Sequence, residues 1–183
     1  MSRLSLLTWN VWFEPMQLAA RGRESLRIAE LMRPDIICLQ EVTEAFLEPL
    51  RESSWIHSEY LCSDSDFRGG TLGAYGVLML CKRSLCPSFH WHHLPSNMGR
   101  SLLVSKCTME NGREVCVGTV HLESLDNQTT REKQLRVCEG VLPAGSSILC
   151  GDFNFCSFRN YIVSSPLHNE CLSEILPNFV DVW

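Results

Sequence analysis

Short apolar runs separated by polar turns dominate the chain, and a change of period along it separates strands from helices. Leu4 to Trp9 (LSLLTW) is a β-type run that ends at Asn10. From Gln17 to Arg33 the pattern turns helical. Ile28, Leu31 and Met32 stand at i, i+3 and i+4 with charges between them, and Pro34 closes the segment. Ile36 to Leu39 (IICL) is continuously apolar, as in a strand covered on both faces. Thr43 offers an N-cap to a short helix carrying Phe46, Leu47 and Leu50, with Pro49 as a defect inside it.

Trp55 to Cys62 and Gly76 to Lys82 predict two further strands around a polar, glycine-rich loop, SDSDFRGGTLGAYG. Arg100 to Thr108 and Glu114 to His121 predict strands joined at Asn111-Gly112, a hairpin turn signal. Thr129-x-x-Glu132 reads as a capping box opening a helix to Glu139. Ser147 to Gly151 reads as a buried strand, and Asn169 to Leu176 as a short helix. Strands outnumber helices, and an early β-α-β order gives way to hairpins, so the class is α+β. No repeat, low-complexity tract or linker divides residues 1–183, which read as a single domain.

Composition narrows the function classes. Hydrophobic residues at 45% exclude wholesale disorder, and a net charge of −5 argues against holding nucleic acid by bulk charge. A local contact face or a bound cation escapes that objection. Of the ten cysteines, Cys38, Cys81, Cys116 and Cys150 stand inside apolar runs and read as small buried hydrophobes, and no C-x-x-C supports a zinc or thioredoxin-type site. The N-terminal apolar stretch is too short for a signal peptide, and no run reaches membrane-spanning length. An intracellular protein, nuclear or cytoplasmic and not secreted, is the expectation, with no membrane partner.

Four polar clusters follow apolar runs, where a sheet presents side chains to a cleft: Asn10 in TWNVW, Glu41 in LQEV, His121 with Ser124 in TVHLES, and Asp152 with Asn154 in GDFN. A carboxylate at the end of a buried strand needs a partner, and a hard cation such as Mg²⁺ supplies one. Glu41 and Asp152 would flank it, with Asp152 orienting an attacking water, while His121, Asn154 and Ser124 donate hydrogen bonds to phosphate oxygens.

In that order, these motifs resemble the endonuclease/exonuclease/phosphatase superfamily of Mg²⁺-dependent phosphodiesterases. PDIICLQEV, MGRSLL, HLES, the Arg131-x-x-Gln134-Leu135 run and the closing VDVW are most similar to the members that hydrolyse 5′-phosphotyrosyl bonds at DNA ends. The resemblance implies a four-layer α/β/β/α sandwich of two packed mixed sheets. It implies Glu41 and Asn10 at the metal (Mg²⁺, or Mn²⁺), and Asp152, His121 and Asn154 as catalytic residues. His121, Ser124, Asn154 and Arg100 would bind the phosphate of a DNA-end or other phosphodiester substrate, with the protein a monomer in DNA repair. The family's closing Asp-x-Ile strand and Ser-Asp-His motif have no counterpart here, and the chain stops on the apolar Phe179, Val180, Val182 and Trp183. The expectation is therefore a domain incomplete at its C-terminus, lacking the family's last third. Two alternatives stay open: another phosphatase or lipid phosphodiesterase of the superfamily, and a non-catalytic truncated remnant.

Other conspicuous residues read more plainly. His90 and His92 in FHWHHL fit an edge strand better than a metal site, and Asp64 and Asp66 fit a mobile loop. Arg131 and Gln134 suggest a solvated helix face, Trp9 and Trp12 suggest packing, and His168 lies outside any Ser-Asp-His motif.

Overall fold

The computed structural model describes residues 3–163 and 166–182; Trp183 of the VDVW motif lies outside them. Two four-stranded sheets pack face to face. The first holds β1 (Leu6–Asn10), β2 (Ile36–Val42), β3 (Tyr60–Cys62) and β4 (Gly76–Lys82) in the order β1-β2-β4-β3. The second holds β5 (Ser88–His93), β6 (Ser101–Thr108), β7 (Glu114–His121) and β8 (Ser147–Asp152) in sequence order. Each sheet contains one parallel pair, β1 with β2 and β7 with β8. Parallel neighbours need a crossover, and α1 (Leu18–Met32) and α4 (Gln128–Val141) provide the two. The remaining helices are short: α2 (Leu47–Glu52), α3 (Ser54–Glu59) and α5 (Cys171–Ile175).

Alternation along the strands builds three cores. Ile36 and Cys38 of β2 meet Met79 and Cys81 of β4 and Leu103 and Val117 of the second sheet in the core between the sheets. Their neighbours Ile37, Leu39, Leu78 and Leu80 face the other way, packing with Leu26, Phe46, Leu50 and Ile56 of the helical layer. On the outer face of the second sheet, Leu102, Val104 and Val120 pack on Leu135 and Cys138 of α4 and on Ile175. Strands buried on both faces explain the continuous apolar runs. The expected α/β/β/α sandwich of mixed sheets is what forms, and no helix among the described residues is long and apolar enough to cross a membrane.

Several local expectations change. Residues 54–59 are helical, leaving only Tyr60–Cys62 as strand. Trp55 and Ile56 favour a strand by side-chain type, but both bury into the helical layer, and packing overrides propensity. The capping box does not form: α4 starts at Gln128 behind Asn127, and Glu132 accepts a hydrogen bond from Gln128 Nε2 (2.7 Å) instead. Thr43 does cap its turn, accepting from the Phe46 N–H (3.3 Å). Pro49 is tolerated because it falls in the first turn of α2, where its missing N–H has no partner to lose. The histidine-rich segment is an edge strand, as expected. Asp64, read as part of a mobile loop, is buried and ties that loop by accepting from the Arg68 N–H (3.0 Å) and Thr71 Oγ1 (2.9 Å).

Asp35 clamps the near end of the first sheet. Its carboxylate accepts from Ser5 N–H (2.8 Å), Ser5 Oγ (2.7 Å) and Lys82 Nζ (2.9 Å), joining the flanks of β1, β2 and β4. Burial alone would raise its pKa, but the Lys82 ammonium and the Ser5 donors outweigh that and hold it below the ordinary value. A lowered folded pKa means the unfolded chain binds more protons at acid pH. The clamp's contribution is therefore full above about pH 4 and disappears as pH falls through the lowered value. Asp35→Asn should lower stability by about 1–3 kcal/mol at neutral pH and flatten its acid dependence, which denaturant melts at a series of pH values will measure.

Candidate active site

The carboxyl ends of both parallel pairs open on the same side of the sandwich. β1 ends at Asn10 and β2 runs on past it to Glu41, while His121 and Asp152 are register partners at the ends of β7 and β8. One amide joins the two sheets. Asn10 Nδ2 donates to Glu41 Oε1 (2.9 Å) and to Asp152 Oδ2 (2.8 Å), so two carboxylates from facing sheets share one neutral donor. Just below, Gln40 Nε2 donates to Thr8 Oγ1 and Thr119 Oγ1 (both 3.1 Å), a second polar tie between the sheets.

Local backbone distortions aim these side chains. Between the Leu39–Leu78 and Val42–Gly76 pairs, two residues of β2 oppose only Val77 of β4, a β-bulge. Glu41 sits in it at a φ of 61°, a conformation unfavourable for a residue with a Cβ. The bulge swings the carboxylate out of the sheet's alternation, and the Phe13 N–H holds its other oxygen (2.9 Å). Trp12, also at positive φ, donates its N–H to Asn10 Oδ1 (3.0 Å), which orients the amide. On β8, Gly151 has a φ of 127°, and a Cβ there would lie 2.0 Å from the Val120 carbonyl oxygen. Only glycine lets β8 approach β7 closely enough to bring Asp152 alongside His121.

His121 is buried, with Nε2 at 3.9 Å from Glu41 Oε1 and 3.8 Å from Asp152 Oδ2. Arg100 Nη1 lies 3.0 Å from its Nδ1. A guanidinium only donates, so Nδ1 carries the lone pair and Nε2 the proton, directed to the carboxylate side. Burial first and the Arg100 charge second push its pKa down, against the upward pull of Asp152 and Glu41. His121 is thus a neutral ring with a fixed tautomer. Asn154 donates its N–H to Asp152 Oδ1 (2.9 Å) and its Nδ2 to the Leu122 carbonyl (2.9 Å).

Asn10, Glu41, His121 and Asp152 therefore meet in one cluster, with Asn154 attached through Asp152 and Arg100 through His121. Ser124 stands apart, its Oγ donating to Met98 Sδ (3.2 Å). Two earlier readings change. Arg131 and Gln134 are buried, not solvated: Arg131 Nη1 donates to the Glu123 and Leu125 carbonyls (2.8 and 2.9 Å). Trp12 is half exposed, with the Arg21 guanidinium 4.6 Å from its ring centre, while Trp9 is partly buried against the helical layer. His168 lines a cleft of about 330 Å³ together with Asp152, Asn154, Arg131, Cys156 and Arg159, its Nδ1 3.3 Å from Arg131 Nη2. Sequence reasoning missed Glu123 altogether; its one signal is a charged residue directly after an apolar strand, between two residues already singled out.

A sandwich whose strand ends converge on paired carboxylates, an amide and a histidine defines a class, and the family comparison agrees. Residues 7–164 match the Endonuclease/Exonuclease/phosphatase family, and the chain belongs to it. Among individual proteins it is similar to tyrosyl-DNA phosphodiesterase 2 of Danio rerio, 33% identical over 140 residues that cover 74% of this chain and 36% of that protein. The Xenopus tropicalis protein of the same name is 28% identical over the whole chain and 46% of its own length. The crystal structure of Danio rerio TDP2 with single-strand DNA product superposes with a TM-score of 0.67 at 28% identity, over 84% of this chain and 62% of the other. The chain thus spans between about a third and a half of the curated relatives it matches.

Gly151→Ala tests how tightly the cluster is built. The added methyl must displace backbone, so the variant should lose at least about 3 kcal/mol of stability or fail to fold. A wild-type melting midpoint for this variant would show that β7 and β8 can separate freely at this end.

Proposed function

We propose that this chain carries the metal- and phosphate-binding residues of a Mg²⁺-dependent phosphodiesterase, monomeric and intracellular, that hydrolyses 5′-tyrosyl bonds at DNA ends in repair. The observation that carries this reading is the convergence of Glu41 and Asp152, from two different sheets, on one Asn10 amide beside a neutral His121. Two like charges held this close call for a cation. The donor set is hard oxygen throughout, which fits Mg²⁺ or Mn²⁺, and Mg²⁺ needs only one or two carboxylates because it keeps waters and substrate oxygens as its other ligands. Glu41 would hold the ion, and Asn10 would join it through Oδ1 once its amide turns from the orientation in which Nδ2 faces the carboxylates; the ion when bound polarises a phosphoryl oxygen.

The protein groups do the rest. Asp152, oriented by Asn10 and the Asn154 N–H, accepts the proton of the attacking water. His121 presents Nε2–H to the phosphate and Arg100 keeps that tautomer, so a donor faces the oxygen on which charge develops. Arg100 and Arg131 each keep a buried Nε–H without a partner among the described residues, which leaves hydrogen-bonding capacity for an anion at the site and in the adjoining cleft. Asn154, held against Asp152, borders the phosphate position, and Ser124 would reach it only on releasing Met98 Sδ. The similarity to tyrosyl-DNA phosphodiesterase 2 supports the choice of DNA ends and a tyrosyl leaving group.

A substrate panel tests it. A 5′-tyrosyl oligonucleotide should release tyrosine in Mg²⁺, with EDTA abolishing turnover, while sphingomyelin and inositol phosphates remain intact. Glu41→Gln and Asp152→Asn should each cut the rate by at least about 100-fold with the fold intact by circular dichroism. Activity that survives Glu41→Gln would remove Glu41 from the metal, and absence of any turnover would leave the non-catalytic reading standing.

A further inference from the structure

Glu123 is fully buried between His121 and Ser124, yet every donor that reaches its carboxylate is neutral. Ser96 Oγ donates at 2.5 Å, the Asn97 N–H at 2.9 Å and Gln134 Nε2 at 3.2 Å. Three donors on two oxygens is a demand that a carboxylate meets and an amide does not: a glutamine would turn its NH₂ toward Asn97 N–H or Ser96. Ser96 Oγ in turn accepts the N–H groups of Met98 (2.9 Å) and Arg100 (3.1 Å). Gln134 secures the other side, accepting the Glu123 N–H (2.8 Å) and donating to the Pro95 carbonyl (3.0 Å), while Arg131 holds the Glu123 carbonyl. Residues 95–100 are thus fastened to the end of β7 through the Glu123 carboxylate and to α4 through Gln134, which binds both that carboxylate and the Pro95 carbonyl. The last residue of that loop is Arg100, whose guanidinium lies on His121 Nδ1.

We propose that Glu123 is a positioning residue: through Ser96 and the 95–100 loop it seats Arg100 against His121 and so fixes which ring nitrogen carries the proton. It touches no reacting atom. Stabilising the fold is not the only thing such a group does, because burying a carboxylate is expensive and an apolar residue would fill the same space without that penalty. What the carboxylate adds is the geometry of the loop. The inference rests on the phosphodiesterase reading above for its catalytic meaning, but not for its structural test.

Two readouts separate the claims. Ring ¹⁵N spectra of His121 at one fixed pH should show the Nε2–H tautomer in the wild-type protein. Glu123→Gln, Ser96→Ala and Arg100→Ala should each shift it to a mixture, with melting curves confirming that the variants are folded. In turnover of the tyrosyl oligonucleotide, Glu123→Gln should lower kcat roughly 10- to 100-fold with KM little changed. In an Arg100→Ala background the same change should cost less than about threefold, because the two act in series. A folded Glu123→Gln with wild-type His121 signals overturns the proposal, as does a full loss of rate that persists without Arg100. Should Glu123→Gln not fold, Ser96→Ala, which removes only the relaying hydroxyl, decides between the same outcomes. Absence of wild-type turnover counts against the enzymatic reading alone, since the spectra still decide the positioning role.

Discussion

Everything at the open end of this sandwich answers to one constraint, the placing of two carboxylates from facing sheets within reach of a single amide. Glu41 and Asp152 repel each other, and the Asn10 NH₂ group bridges them, with the His121 ring beside both. Such an arrangement forms only if β1 and β2 end level with β7 and β8, which is what the two parallel pairs and their crossover helices achieve. The strain that completes it is local and specific. A bulge with Glu41 at positive φ turns one carboxylate outward, and Gly151 lets β8 approach β7 so that the other meets it. These departures from regular geometry cluster at the strand ends and are absent from the middle of the sheets, where apolar alternation suffices.

The same constraint explains the pattern of polar burial between the sheets. Gln40, Thr8 and Thr119 tie the sheets directly beneath the cluster, and further from it the interface is aliphatic and cysteine-rich. A hydrogen-bonded tie sets lateral register in a way that apolar contact does not, because a slip of one strand position would leave buried polar atoms without partners. Of the interface cysteines, Cys38, Cys81 and Cys107 are buried and Cys150 partly so; they fill volume as small apolar residues do, with Cys81 and Cys107 also meeting Ser105 Oγ (3.4 and 3.1 Å).

How much of this the sequence disclosed depends on the range of the interaction. Continuous runs such as IICL and VLMLC declare strands buried on both faces, and the four polar clusters at their ends declare where the sheet opens, because both signals are local. Residues 54–59 misled because Trp and Ile favour strands, while their burial against the helical layer was decided by distant partners. Arg131 and Gln134 misled for the opposite reason. Two long polar side chains one turn apart look solvated, but the segment after β7 supplies the Glu123 and Leu125 carbonyls and the Glu123 carboxylate, and the 95–100 loop the Pro95 carbonyl, that bury them. Glu123 was invisible on the same ground, since its donors lie some 26 residues away in sequence.

Net charge, finally, proves a poor guide to the face that an anion would meet. The chain carries −5 overall, yet the cleft beside Asp152 is lined by Arg131, Arg159 and Asn154, and Arg100 lies behind His121. Burial amplifies Arg100 and Arg131, because a guanidinium screened from water acts through a lower dielectric than an exposed charge. Burial pushes the Arg131 pKa down, but a guanidinium stays charged in proteins, so its charge persists where solvent does not dissipate it. The cleft thus offers an anion local positive charge that the net charge of the chain does not announce.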